Sequence, residues 1–375
     1  MARTPLKPLA APAIHPDAPR RRAVVAALLG GVAAGLPLAG QARRVDPAPM
    51  RALAWPPAPP ALGARQQQAL AGRLGTGFDD VQSVAVLHRG HLAFEFQRPG
   101  VAPGALQEVQ SVTKSVLSLL FGQAMADGLV RGPDELVALR LPAMLRLGAD
   151  ARLRQLRFVH LLTMTAGWAG EQTARRDRDD NLRWIVQRPF QADPGARFAY
   201  DNGAANLLAL ALANAVGRPL EQYARERLFQ PLGIGRSSWR RGAQGQAIGA
   251  HGLSLSTRAM VRLGELVLHE GQWQGRALVP RDHVRAATRR QHAGGAPLGS
   301  AYGYLWWIGG QERGRPDARP AIMASGYGGQ WIHVDPALGL VVAVTARRTP
   351  ESATRGQGLA LIQRHILPAV RSIAQ

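Results

Sequence analysis

Cysteine is absent from all 375 residues, which excludes disulfides, thiolate metal sites and a cysteine nucleophile together. Lysine is nearly absent too. Of 46 basic residues only Lys7 and Lys114 are lysine, and the rest are arginine. A guanidinium stays protonated under ordinary conditions, whereas an amine gives up its proton when desolvated or set near other cations. One amine kept in a body of guanidinium groups therefore points to base chemistry. Other signatures are also missing. There is no Gly-x-Ser-x-Gly elbow, so an α/β-hydrolase is not expected. Lys114 follows Val112-Thr113 rather than glycine, which excludes a phosphate-binding loop. No His-Glu-x-x-His occurs, and His88 and His91 flank a predicted hairpin turn, so neither a metal nor a cofactor is expected.

The net charge is +21. Residues 1–44 hold seven basic residues and one acidic, leaving 39 against 24, or +15, for the remainder. The arginines are scattered, without a basic stripe interleaved with aromatics, so an arginine-biased solvated surface is expected and a nucleic-acid partner is not. Arg20-Arg21-Arg22 precede a weakly apolar run that reaches Ala42. This pattern predicts an export signal over 1–42 of twin-arginine type, cleaved or kept as an anchor, and a periplasmic or extracellular protein. Six prolines between Pro47 and Pro60 predict an extended linker over 43–63.

From residue 64 to 375 the pattern is that of one domain. A helix is expected at Arg65 to Leu74, and two strands, Val81 to His88 and His91 to Phe96, around an Arg89-Gly90 turn. Ser111 to Ala126 reads as a helix with Val112, Val116, Leu119 and Leu120 on one face and Ser111, Lys114, Ser115 and Ser118 as a polar stripe on the other. Helical periodicity then dominates to about 245, as in Asn206 to Val216 and Leu220 to Leu228. Strand-like runs return at Tyr302 to Ile308, Ala321 to Ser325, Trp331 to Val334 and Gly339 to Ala346, before a final helix from about Gly356 to Ile373. The expected class is α+β: an antiparallel β-sheet flanked by helices, with an all-helical subdomain at about 130–245.

Three elements carry chemistry. In Ser111-Val112-Thr113-Lys114, a serine three residues before a lysine lies on the same helical face, within reach of its amine. That spacing alone is weak, and a solvated polar stripe would produce it too. In Tyr200-Asp201-Asn202, an extended backbone would point the phenol and the amide the same way, the first to share a proton with Lys114 and the second to hold it or a substrate carbonyl. In Ser325-Gly326-Tyr327-Gly328-Gly329-Gln330, at a strand end, glycines let a substrate approach the backbone, and the Tyr327 and Ser111 N–H groups would form an oxyanion hole. Trp168, Trp306, Trp307 and Trp331 are candidates for an apolar pocket, with core packing the expected role of the Trp306-Trp307 pair.

In this order the elements resemble the S-x-x-K, Y-x-N and K-T-G motifs of the β-lactamase-like serine hydrolase superfamily. The similarity extends to His160-Leu161-Leu162-Thr163-Met164-Thr165-Ala166-Gly167, to Gly252-Leu253-Ser254-Leu255-Ser256 and to Tyr302-Gly303-Tyr304-Leu305-Trp306-Trp307. It is strongest toward the branch of class C β-lactamases, family VIII carboxylesterases and 6-aminohexanoate-oligomer hydrolases. The resemblance implies a β-lactamase/transpeptidase-like fold and an acyl-enzyme on Ser111, with Lys114 and Tyr200 moving the proton. Asn202, Ser325, Gly326, Tyr327, Trp168 and Trp331 would bind a small ester or linear amide. One position departs: Ala324 stands where K-T-G has lysine, which weakens the case for carboxylate-bearing substrates unless Arg347 or Arg348 compensates. A β-lactamase or D-alanyl-D-alanine carboxypeptidase, and a non-catalytic binder of cell-wall fragments or peptides, are the alternatives.

Overall fold

A computed structural model describes residues 62–169, 181–242, 244–309 and 319–372. The expected export signal and all of the proline-rich stretch except Leu62 and Gly63 lie outside the described residues. Leu62 is itself buried in the core, so packing begins slightly before the first helix.

The chain opens with α1 (Ala64–Thr76) and the hairpin β1 (Val81–His88) and β2 (His91–Gln97). The turn falls on Arg89-Gly90, both at positive φ, which suits the right-handed twist of the two strands. After a long helical excursion the sheet resumes with β3 (His292–Gly295), β4 (Ser300–Tyr302), β5 (Trp307–Ile308), β6 (Ile322–Gly326), β7 (Gln330–Asp335) and β8 (Leu340–Ala346). The eight strands lie in the order β2-β1-β8-β7-β6-β5-β4-β3, each pair antiparallel.

Every residue of β7 and β8 is buried, as expected of central strands covered on both faces. Helix α4 (Thr257–Leu268) covers one face, and its Gly264 lets it sit against Val341, Ile332 and Val334, since a Cβ there would lie 2.4 Å from Val341 Cγ1. Helical residues 357–371 pack nearby, with Gly358 against Trp331 and His365 edge-on to Phe78.

The expected strand over Tyr302 to Ile308 is two short strands instead. Gly303 N–H donates to Trp306 O at 2.8 Å, and Leu305 takes a left-handed φ of 60°. The apolar run is a tight turn because Leu305 is fastened elsewhere, its N–H on Leu162 O and its carbonyl on Ser115 Oγ. Among the described residues between 130 and 245 the regular structure is helical except for Ser238–Trp239, which joins Leu253–Leu255 and Gln107–Glu108 in a small sheet.

Candidate active site

Helix α2 (Val112–Ala126) was expected to be amphipathic, yet it is buried all round from Val112 to Ala124. Its serines and its lysine are interior groups, and interior polar groups need partners. Thr113 Oγ1 donates to Gln110 O at 2.6 Å, and Ser115 Oγ to Leu305 O at 2.6 Å. A solvated stripe is thereby excluded.

Lys114 is 1% exposed. Its Nζ lies 3.0 Å from Ser111 Oγ, 2.6 Å from Asn202 Oδ1 and 2.8 Å from Ala250 O, and 5.0 Å from the centroid of the Tyr200 ring. Of these three oxygens only Ser111 Oγ carries a hydrogen. A neutral amine here would give its two hydrogens to the carbonyl oxygens and turn its lone pair to the serine. Protonated, the same nitrogen donates to all three. The site fits both states of a base without rearrangement.

Ser111 sits at the N-cap of α2, where the positive end of the helix dipole favours developing negative charge. The residue before it, Gln110, has φ 51°, an uncommon conformation for a non-glycine residue. Gly326, at the end of β6, abuts this turn: a Cβ there would meet Val109 O at 2.3 Å and Gln110 Cβ at 3.0 Å. Only glycine allows the Ser325-Gly326-Tyr327 backbone to lie so close to Val109 and Gln110, the residues that lead into Ser111.

Asp201 and Asn202 are not both loop residues. Asp201 caps helix α3 (Asn202–Val216), accepting from Gly203 N–H at 2.9 Å, and Asn202 is the first helical residue. Arg188 grips the Asp201 carboxylate with two hydrogen bonds of 2.9 and 2.8 Å, in a pair that is largely buried. Met164 completes the clamp, its carbonyl accepting from Ala199 N–H at 2.8 Å and its sulfur facing Asp201 N–H at 3.5 Å. The His160–Gly167 segment thus holds the tyrosine loop against α2.

Tyr200 stacks on Trp307 with centroids 5.5 Å apart, and Tyr302 meets both rings edge-on. Burial, with Tyr200 beside it, keeps the Tyr302 phenol well above its ordinary pKa, so Tyr302 is a neutral support.

An open cleft of about 960 Å³ runs over these groups. Its lining includes Ser111, Tyr200, Asn202, Ser325, Gly326, Tyr327 and Trp331, so eight of the nine residues singled out from the sequence converge, counting the Lys114 amine beneath Ser111. Trp168 does not. It is buried elsewhere, tilted against Phe190 with the Arg188 guanidinium 4.8 Å over its ring, and it braces the arginine that holds Asp201. Trp307, assigned to the core, is buried on one side and forms cleft wall on the other.

Sequence reasoning missed Ala250, Asn206, Glu108, Arg240 and His251. Asn206, one turn after Asn202, accepts from Ala250 N–H at 2.8 Å and so fixes the carbonyl that meets Lys114. Its i, i+4 spacing from Asn202 was the available signal. Arg348 reaches the cleft, paired with Glu108, which also accepts from Gln110 Nε2 at 2.7 Å. Arg347 does not line it. Arg240, hydrogen-bonded to His251 at 3.0 Å, lines it too, as does His251.

Known proteins place this geometry. Residues 65–365 match the family model described as Beta-lactamase. A stretch of 57 residues is 40% identical to the D-alanyl-D-alanine-carboxypeptidase/endopeptidase AmpH of Escherichia coli strain K12, spanning 15% of this chain and 15% of that protein. A Bacillus anthracis structure assigned as a 6-aminohexanoate-dimer hydrolase superposes with TM-score 0.65 at 17% identity, over 79% of this chain and 80% of that one. EstCE1, a hydrolase with promiscuous acyltransferase activity, does so with TM-score 0.64 at 17% identity, over 83% and 98%. The chain belongs to the β-lactamase family of hydrolases, with that family's mixed helix and antiparallel-sheet fold.

Proposed function

We propose that the protein is an exported serine hydrolase that cleaves a small ester or linear amide through an acyl-enzyme on Ser111. The observation that carries this reading is the Lys114 amine, buried and 3.0 Å from Ser111 Oγ, with the carbonyl oxygens of Asn202 and Ala250 also within hydrogen-bond distance. Ser111 Oγ attacks the carbonyl carbon while its proton passes to Lys114 Nζ. The oxyanion forms beside the Ser111 and Tyr327 backbone amides, at the start of α2. Collapse expels the alcohol or amine, which takes the proton from Lys114 with Tyr200 as the neighbouring relay, and leaves an ester on Ser111. Water then repeats the sequence on that ester and frees the acid.

Ala324 in place of a lysine, and the aromatic walls Trp307 and Trp331, support an uncharged ester or amide over a carboxylate-bearing β-lactam or peptidoglycan stem. The second reading, β-lactamase or D-alanyl-D-alanine carboxypeptidase, draws on the guanidiniums of Arg240 and Arg348 in the cleft. Turnover of a short-chain p-nitrophenyl ester beside nitrocefin separates the two. We expect kcat/KM for the ester to exceed that for nitrocefin by about a hundredfold, equivalent to about 3 kcal/mol in the transition state. Nitrocefin as the better substrate would reverse the choice.

A further inference from the structure

The β4–β5 hairpin has two faces. Tyr302 pairs with Trp307 toward Tyr200, and the next pair, Ala301 with Ile308, lines a separate cleft of about 940 Å³. Four arginines line that cleft: Arg285, from α5 (Arg281–Ala287), then Arg289, Arg290 and Arg319. Arg281 stands close by. Against these, among the described residues, the lining has one carboxylate, Glu270.

Glu270 sits in a turn after α4 with φ 54°. Its carboxylate accepts from Arg285 Nε at 3.0 Å, lies 2.9 Å from an Arg319 nitrogen and 3.6 Å from Arg281. The hydrogen bond from Arg285, followed by the charges of Arg319, Arg285 and Arg281, holds it below the usual carboxylate range despite some burial. One carboxylate cannot use the donors of three guanidiniums, each of which offers five N–H groups. It gathers them and leaves most of their donors unused by that carboxylate. Arg289 and Arg290 have no side-chain hydrogen bond or ion pair among the described residues.

We propose that this second cleft binds a small oxyanion carrying two or more phosphate or carboxylate groups. Planar guanidinium forks match such groups bidentately. Arg285 and Arg319 are already gathered by Glu270, so an arriving anion pays less ordering entropy at those two. A cleft of this size lies in the range of small-molecule sites, and a single inorganic phosphate would leave most of it empty. The inference does not depend on the acyl-transfer reading, because neither Ser111 nor Lys114 touches this cleft.

Calorimetric titration of the full chain with inorganic pyrophosphate and with citrate, at constant ionic strength set by sodium chloride, tests it. Saturable binding at one site is expected. The double substitution Arg289→Gln/Arg290→Gln, and separately Arg319→Gln on another segment, weaken it about tenfold, the loss of roughly one charge-assisted hydrogen bond. Arg225→Gln/Arg236→Gln, which removes two charges from exposed arginines outside the cleft, leaves it unchanged. Tighter pyrophosphate assigns a phosphate ligand and tighter citrate a carboxylate one. No saturable binding, or equal weakening by both double substitutions, would overturn the proposal in favour of diffuse attraction to a basic protein.

Discussion

Asn206 stands one helical turn after Asn202 and acts on the same amine by another route. Asn202 Oδ1 meets Lys114 Nζ directly at 2.6 Å, while Asn206 Oδ1 holds the Ala250 amide at 2.8 Å, and the Ala250 carbonyl meets Lys114 at 2.8 Å. Gly249 makes this possible, since a Cβ there would lie 2.3 Å from Ala205 O. One helix face therefore sets two of the contacts that aim Lys114 at Ser111. Asn206→Ala is expected to lower kcat for the ester about tenfold with KM within about twofold, because Asn206 positions the base without touching substrate. The acid limb of the pH profile should also move, which a purely structural role would not cause. Steady-state kinetics across pH checks both, and a rise in KM alone would count against the assignment.

Glu108 neutralises Arg348 at the edge of the cleft. Glu108→Gln removes that carboxylate and leaves the guanidinium for substrate. The expected result is a rise of about fivefold in kcat/KM for a carboxylate-bearing ester relative to its neutral analogue, diminishing with added salt. Parallel kinetics on the two esters measures it, and an unchanged ratio would mean that Arg348 does not read the substrate.

Arg188 and Asp201 form the buried pair beneath the Tyr200–Asn202 segment. Arg188→Gln leaves an uncompensated carboxylate at the cap of α3, at a cost of about 3–5 kcal/mol. For a domain of this size that lowers Tm by roughly 5–8 °C. A fall below about 2 °C in a thermal melt would show that Asp201 finds another partner.

Acid stability follows from His283 and His333, both buried, with burial pushing each down to about 4. Both ring nitrogens of His333, and Nδ1 of His283, have no hydrogen-bond partner among the described residues. Because the folded values lie below the unfolded value near 6.5, the unfolded chain takes up these protons first. Their contribution is fully present above about pH 6.5 and is lost as pH falls toward 4, by an order of 3 kcal/mol for each histidine. Urea denaturation at pH 7.5, 5.5 and 4.5 should show this slope, and His333→Leu should flatten it. An identical slope in that variant would remove His333 from the account.

The strands and helices were legible wherever periodicity and turn residues agreed, as in β1, β2 and β8. The strand expected from Tyr302 to Ile308 failed because Leu305 is held by Ser115 and Leu162, contacts that no local pattern reveals. The site was legible through residue types with few other uses: a lone lysine, a serine at its spacing, and a tyrosine–asparagine pair. Trp168 was misplaced because a large aromatic signals burial in either a wall or a core, and only the fold tells which. Ala250 was invisible for another reason, since a backbone carbonyl carries no residue signature.

The central claim is that Ser111 is the nucleophile and Lys114 its base. The direct measurement is labelling of the intact protein with a fluorophosphonate, followed by mass mapping of the modified peptide. The account predicts one adduct on Ser111, none in Ser111→Ala, and labelling slowed at least about a hundredfold in Lys114→Arg, where the charge is kept and the base is lost. An adduct on Ser115, Ser118 or any other residue, or undiminished labelling in either variant, would contradict it.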